Sequence, residues 1–116
     1  MINNRLYING KWKSFSKKKF FTHNPLNHKI VSSYIESNDI AINKALESAN
    51  YSFKSWSDKS FKSRAEYLSK ITSLIKKHKK EIARAESLET GKSFAQSNSE
   101  ISSCVKLWNY SSKLCK

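Results

Sequence analysis

Apolar and polar positions follow two different periods along this chain, and the change falls at Ser37-Asn38-Asp39. Before that point the apolar residues come in short runs broken by turn chemistry. In Leu6-Tyr7-Ile8-Asn9-Gly10-Lys11-Trp12, the Asn-Gly pair tolerates the positive φ that a two-residue type I′ turn demands at both central positions. The flanks predict a hairpin of Arg5–Ile8 with Lys11–Phe15. After a charged break over Ser16–Lys19, Phe20-Phe21-Thr22 reads as a short strand. Asn24-Pro25 opens a turn running to His28. Lys29–Ile35 is a further strand, rich in β-branched and aromatic residues.

Beyond Ser37 the period is that of a helix. Ser37, Asn38 and Asp39 are residues whose side chains accept hydrogen bonds from the first free N–H groups, so they predict an N-cap. Ile42, Ala45, Leu46, Ala49, Phe53 and Trp56 form one apolar stripe. Ser57–Lys59 is a polar joint, and Ser60 is the next cap. The second stripe carries Phe61, Ala65, Leu68, Ile71, Leu74, Ile75, His78 and Ile82, with Glu66, Lys70, Lys76, Lys77, Lys80 and Glu81 mostly opposite. This segment is long for one helix, which leaves room for a break around Lys77–Lys80. It ends at Thr90-Gly91, where glycine can take the left-handed conformation of a helix terminus. A last helix places Phe94, Ile101, Val105, Trp108 and Leu114 at helical intervals and shows no stop signal. The faces bearing Trp56, Phe61, Phe94 and Trp108 have only one another to pack on. The chain is therefore expected to be an incomplete fold unit, exposing more apolar surface than the few hundred Å² usual for a monomer.

Composition narrows the classes. At 116 residues the chain is at most one small domain. Its mean hydropathy is −0.67, and no apolar run approaches the roughly 20 residues of a membrane span. The start, Met1-Ile2-Asn3-Asn4-Arg5-Leu6, lacks the basic segment and apolar core of a signal peptide, so a cytoplasmic location is expected. A net charge of +13 raises nucleic acid or an anionic surface as a partner. Against that, arginine occurs only at Arg5, Arg64 and Arg84, and the lysines are spread along the chain, an ordinary consequence of AT-rich coding. Cys104 and Cys115 have neither CxxC spacing nor a neighbouring histidine, so no metal site, disulfide or catalytic thiol follows. Cys104 is expected to pack as a small hydrophobe beside its helix's apolar stripe.

Several of these segments, in this order, resemble the N-terminal part of the aldehyde dehydrogenase superfamily. They are Leu6–Trp12, Phe21-Thr22-His23-Asn24-Pro25, the Asp39-Ile40-Ala41 helix reaching Phe53 and Trp56, Arg64-Ala65 with Leu68, Ile82-Ala83, and Leu88-Glu89-Thr90-Gly91-Lys92. Asn109-Tyr110 stands where the family usually has Tyr-Tyr. The resemblance covers essentially Leu6–Ser111 and implies an α/β fold. The 116 residues would be an incomplete dinucleotide-binding domain, with N-terminal antiparallel hairpins followed by three main helical segments.

For function, the resemblance implies NAD- or NADP-dependent oxidation of an aldehyde to a carboxylic acid. A cysteine thiolate attacks the aldehyde, hydride passes to the nicotinamide, and a glutamate activates water to hydrolyse the thioester. The family's glycine-rich loop, catalytic glutamate and catalytic cysteine all lie beyond the segments present here. No residue of this chain is assigned a catalytic or cofactor-binding role, and the chain alone is expected to bind no NAD and to be inactive.

One site carries over. Some family members hold a structural monovalent cation through main-chain oxygens near the Thr-x-Asn-Pro segment and an acidic side chain of the Leu-Asp-Thr-Gly type motif. The matching positions are Thr22, His23 and Glu89, with Glu one methylene longer than Asp. Alternatively, Glu89 is a surface residue in a helix's last turn, His23 and His28 are turn residues, and His78 packs on the apolar stripe. Two other readings stay open: a lysine-rich module on nucleic acid or an anionic surface, and a chain that docks through its open helical faces on a full-length relative or on itself.

Overall fold

The computed structural model describes residues 5–114. It has two β-hairpins followed by helices, and the chain divides into two units. One runs to His23 and resumes over Lys29–Asp58. The other takes Asn24–His28 and everything from Lys59 on.

In the first unit, β1 (Leu6–Ile8) pairs antiparallel with β2 (Lys11–Lys13), with Tyr7 opposite Trp12. Asn9 (φ 52°) and Gly10 (φ 71°) form the turn, both in the left-handed region as the Asn-Gly pair requires. The rings of Tyr7 and Trp12 meet with centroids 5.0 Å apart, the cross-strand contact that stabilises an antiparallel pair. These strands are shorter than the expected Arg5–Ile8 and Lys11–Phe15. Phe15 instead turns its carbonyl to Asn38 Nδ2 at 2.7 Å, ending the ladder and tying the hairpin segment to the next helix start.

The second hairpin joins β3 (Lys19–His23) to β4 (Ile30–Ile35) antiparallel, with Phe20 stacked on Tyr34 at 5.4 Å. Its register slips between Thr22 and His23. Beyond the strand ends, Glu36 N–H donates to Lys18 O, and Lys18 Nζ lies 2.9 Å from Glu36 Oε2. Helix α1 (Asp39–Ser57) starts at Asn38, whose Oδ1 accepts from Ala41 N–H at 3.0 Å. Asp39 adds a negative charge at the positive end of the helix dipole.

The second unit is helical. Ser60 Oγ caps α2 (Phe61–Lys77) by accepting from Ser63 N–H. The long segment breaks at His78, which ends α2 and starts α3 (Lys79–Thr90), so the three expected helical segments are four helices among the described residues. His78 is thus a junction residue rather than part of a packed stripe, and its Nδ1 lies 3.2 Å from Glu81 Oε2 in the first turn of α3. Ser93 Oγ accepts from Gln96 N–H at the start of α4 (Phe94–Leu114), which packs along both α2 and α3.

The fully buried positions coincide with the expected stripes only at Ala65, while Leu68, Ile75, Ile101, Val105 and Trp108 of those stripes are half-buried. Those buried are Ala65 and Thr72 of α2, Ala83 of α3, and Ser97 and Ser112 of α4, with Ala41 of α1 in the first unit. Small side chains let helix backbones approach closely, so the seam runs through them. Thr72 Oγ1 and Ser112 Oγ return to carbonyls of their own helices, which satisfies them locally. The large apolar residues stay open instead: Phe53 is 69% exposed, Phe61 71% and Leu74 57%. On α4 the inward line passes through Ser97, Ile101, Val105 and Trp108. Cys104, one position and about 100° away from Val105, is exposed rather than packed. Cys115 lies outside the described residues. Among the described residues no helix is long and apolar enough to cross a membrane.

Candidate functional site

Leu88-Glu89-Thr90-Gly91-Lys92 forms a densely bonded polar turn of the second unit. Helix α3 ends when Gly91 enters the left-handed region at φ 76°, its N–H donating to Ser87 O at 3.0 Å. Thr90 Oγ1 donates to Glu86 O at 2.7 Å, and Ser87 Oγ donates to Lys92 O at 2.6 Å, so both sides of the turn are pinned. The direction of the chain after Gly91 carries Lys92 back across the helix end. Its Nζ donates to Glu86 Oε1 at 3.1 Å and to Glu100 Oε2 at 2.6 Å, joining α3 to α4. Gln96 Nε2 donates to the other oxygen of Glu100 at 3.4 Å.

These contacts set the charges. The hydrogen bond to Glu100, then that to Glu86, raises the Lys92 ammonium above its usual 10.5. The same Lys92 hydrogen bond lowers the Glu100 carboxyl below its usual 4.5. A lysine held charged between two carboxylates is a brace between helices. It has no proton to exchange near neutral pH and offers no nucleophile.

Against the turn lies Asn24–His28. Asn24 Oδ1 accepts from Leu26 N–H at 2.8 Å, an Asx turn, and Asn24 O accepts from His28 N–H at 2.8 Å. His28 has φ 56°. Pro25 Cγ stands 2.8 Å from where a Cβ on Gly91 would be. Glycine is therefore required at position 91 both by backbone angle and by space.

The three expected cation donors fall on two units. Thr22 and His23 are adjacent at the register slip of β3, with Thr22 Oγ1 3.5 Å from Ser32 O and His23 exposed. Glu89 is half-buried in the last turn of α3, in the second unit. No cluster of three or more His, Cys, Asp or Glu suited to a metal ion occurs among the described residues. The sequence did not reveal the Glu86–Lys92–Glu100 brace. Lys92 reaches six residues back and eight forward, a spacing that no single helix face produces.

The model of the "Aldehyde dehydrogenase family" matches residues 12–116. The chain is 36% identical over 98 residues to the methylmalonate-semialdehyde/malonate-semialdehyde dehydrogenase [acylating] of Mus musculus, covering 84% of this chain and 18% of that protein. It is 32% identical over 105 residues to the N-succinylglutamate 5-semialdehyde dehydrogenase of Legionella pneumophila (strain Corby), covering 90% and 21%. Among solved structures, the betaine aldehyde dehydrogenase of Staphylococcus aureus in complex with NAD+ superposes with a TM-score of 0.90 at 28% identity, covering 96% of this chain and 23% of that one. An NAD-dependent benzaldehyde dehydrogenase from Corynebacterium glutamicum, 18% identical, shares the fold with a TM-score of 0.90. The chain spans about a fifth of the length of the curated relatives it matches.

Proposed function

The chain belongs to the aldehyde dehydrogenase family, and from that premise we propose that it forms the N-terminal part of an enzyme that oxidises an aldehyde to a carboxylic acid with NAD or NADP. The observation that carries this reading is the correspondence over 96% of the chain with an aldehyde dehydrogenase bound to NAD+. The hairpins and helices described above would then be supporting elements of the dinucleotide-binding domain, with the Glu86–Lys92–Glu100 brace fixing α3 against α4.

The residues present do not fit the dinucleotide by themselves. Gly10 is a hairpin tip, and Gly91 is a helix end closed off by Pro25, so neither belongs to a strand–turn–helix loop that could cradle a pyrophosphate. Cys104 is a free thiol exposed along α4. The nucleophile, the base and the cofactor loop are assigned to chain outside these residues, and no chemical step is drawn through this part. Two experiments test the reading. The messenger encoding these residues should continue in frame into a glycine-rich loop and a cysteine motif; a stop at that point would refute the enzyme. The purified 116-residue chain should form no NADH with any aldehyde, and formation lost in Cys104→Ser would overturn the assignment.

Thr22, His23 and Glu89 enter the same proposal as donors to a structural monovalent cation. Main-chain oxygens beside the β3 slip and one carboxylate are the hard donors such an ion takes. Thermal midpoints of the full-length protein should be higher in potassium or sodium chloride than in an organic-cation chloride of equal ionic strength. Glu89→Gln should abolish that difference. Equal midpoints in all three salts would remove the site.

A further inference from the structure

The first unit contains a groove of about 470 Å³ between β1 and α1. Its floor is Ala41, Ala45 and Ala49, one small residue per turn of α1, and its walls include Leu6, Ile42 and Leu46. Small residues at i, i+4 and i+8 leave a channel that only a side chain from elsewhere can fill. Ile42 is 51% exposed and Leu46 58% on its flank. One end changes character: Ile8 also borders a polar hollow with Lys13, Lys44, Glu47, Ser48 and Tyr51. Lys44 holds Glu47 at 2.7 Å, so two lysines face a single carboxylate and that end of the groove is net positive.

We infer that this groove is the seat of a segment of the same dehydrogenase polypeptide lying outside these 116 residues. That segment is apolar where it faces Ile42 and Leu46, and it carries a carboxylate toward Lys13 and Lys44. The inference rests on the functional reading above. Two observations select this occupant over a second copy. The backbone superposes on enzymes of which it makes up only 23–25%, so the fold that bears the groove occurs in molecules with some three-quarters of their chain available to fill it. A second copy brings its own positive groove end and a net charge of +13, which disfavours self-association at low salt.

The test joins the 116-residue chain in frame to the part of the Staphylococcus aureus betaine aldehyde dehydrogenase beyond its matched quarter. The photoreactive residue p-benzoylphenylalanine replaces Leu46. Irradiation should cross-link position 46 to a peptide beyond residue 116 of the same polypeptide, and Lys44→Glu should lower the yield several-fold. Cross-links joining two polypeptides, or confined to residues within the first 116, overturn the inference. NADH formation with betaine aldehyde separates the two readings: an active fusion with a cross-link elsewhere sinks the groove and leaves the enzyme reading standing. If the fusion does not fold, sedimentation of the 116-residue chain decides. A monomer in which Ile42→Glu changes nothing supports an empty seat, and a dimer dispersed by Ile42→Glu refutes it.

Discussion

Pro25 Cγ stands 2.8 Å from the place a Cβ would occupy on Gly91, and Gly91 holds φ 76°. The ring of proline is not a flexible end that can swing aside, so the contact and the backbone angle act on the same residue. Gly91→Ala should lower stability by roughly 1–2 kcal/mol from the left-handed backbone alone, with the Pro25 contact adding to it. Gly10 is the control, with φ 71° and nothing within 4 Å of its Cβ. Urea midpoints for the two alanine variants should therefore differ, Gly91→Ala being the lower. Equal losses would mean that Pro25 yields freely.

Asn38 joins two segments with one amide. Its Oδ1 caps α1 and its Nδ2 donates to Phe15 O. Asn38→Ala removes both and should cost about 1–2 kcal/mol, while Asn38→Asp keeps the cap acceptor and loses only the donor. Hydrogen exchange at Ala41 should accelerate in Asn38→Ala and stay near wild type in Asn38→Asp. Acceleration in both would show that the bond to Phe15, not the cap, holds the helix start.

Ser97 is fully buried in α4, and its Oγ has no hydrogen-bond partner among the described residues. A buried, unpaired hydroxyl costs on the order of 1–3 kcal/mol, and alanine fits the same space. Ser97→Ala should raise the thermal midpoint, and Ser97→Val should lower it by crowding the seam. A lower midpoint for the alanine variant would reveal a hydrogen bond to Ser97 that this structure does not contain.

The Glu86–Lys92–Glu100 brace sets a pH window. Glu100 is depressed in the fold, so its contribution is present above the ordinary 4.5 and is lost as pH falls through the lower folded value. Lys92 is raised, so its contribution is complete below 10.5 and is lost as pH rises through the higher folded value. Between those limits neither Lys92 nor Glu100 adds pH dependence. Wild type should exceed Glu100→Gln in urea midpoint near neutrality, and the gap should close on acidification below about 4.5. A gap that persists at the acid end would mean that Glu100 acts other than through its charge.

Local chemistry made much of this fold legible in the sequence. Asn9-Gly10, Asn38, Ser60 and Gly91 each act within a few residues of themselves, and the turn and helix ends they predict are all present. Length alone left room for a break near His78 without requiring one. What the sequence hid was which residues of each stripe turn fully inward. Hydrophobicity marks Phe61, Ile71 and Leu74 as buried, but the seam runs through Ala65, Thr72, Ala83 and Ser97, because closeness of backbones rather than side-chain bulk decides it. A periodic stripe states that a face will be covered; it does not state by what. The Lys92 brace was hidden for a related reason, since its partners sit on two helices whose packing fixes their distance.

A seam made of alanine and serine leaves a thermal signature. Unfolding absorbs extra heat capacity in proportion to the apolar surface newly wetted, about 1.4–1.7 kcal/mol/K for an ordinary domain of this length. Here Phe53, Phe61 and Leu74 already meet water in the folded state. The isolated chain should therefore show a heat-capacity step well below that range in scanning calorimetry, with a broad transition and a stability that changes little on cooling.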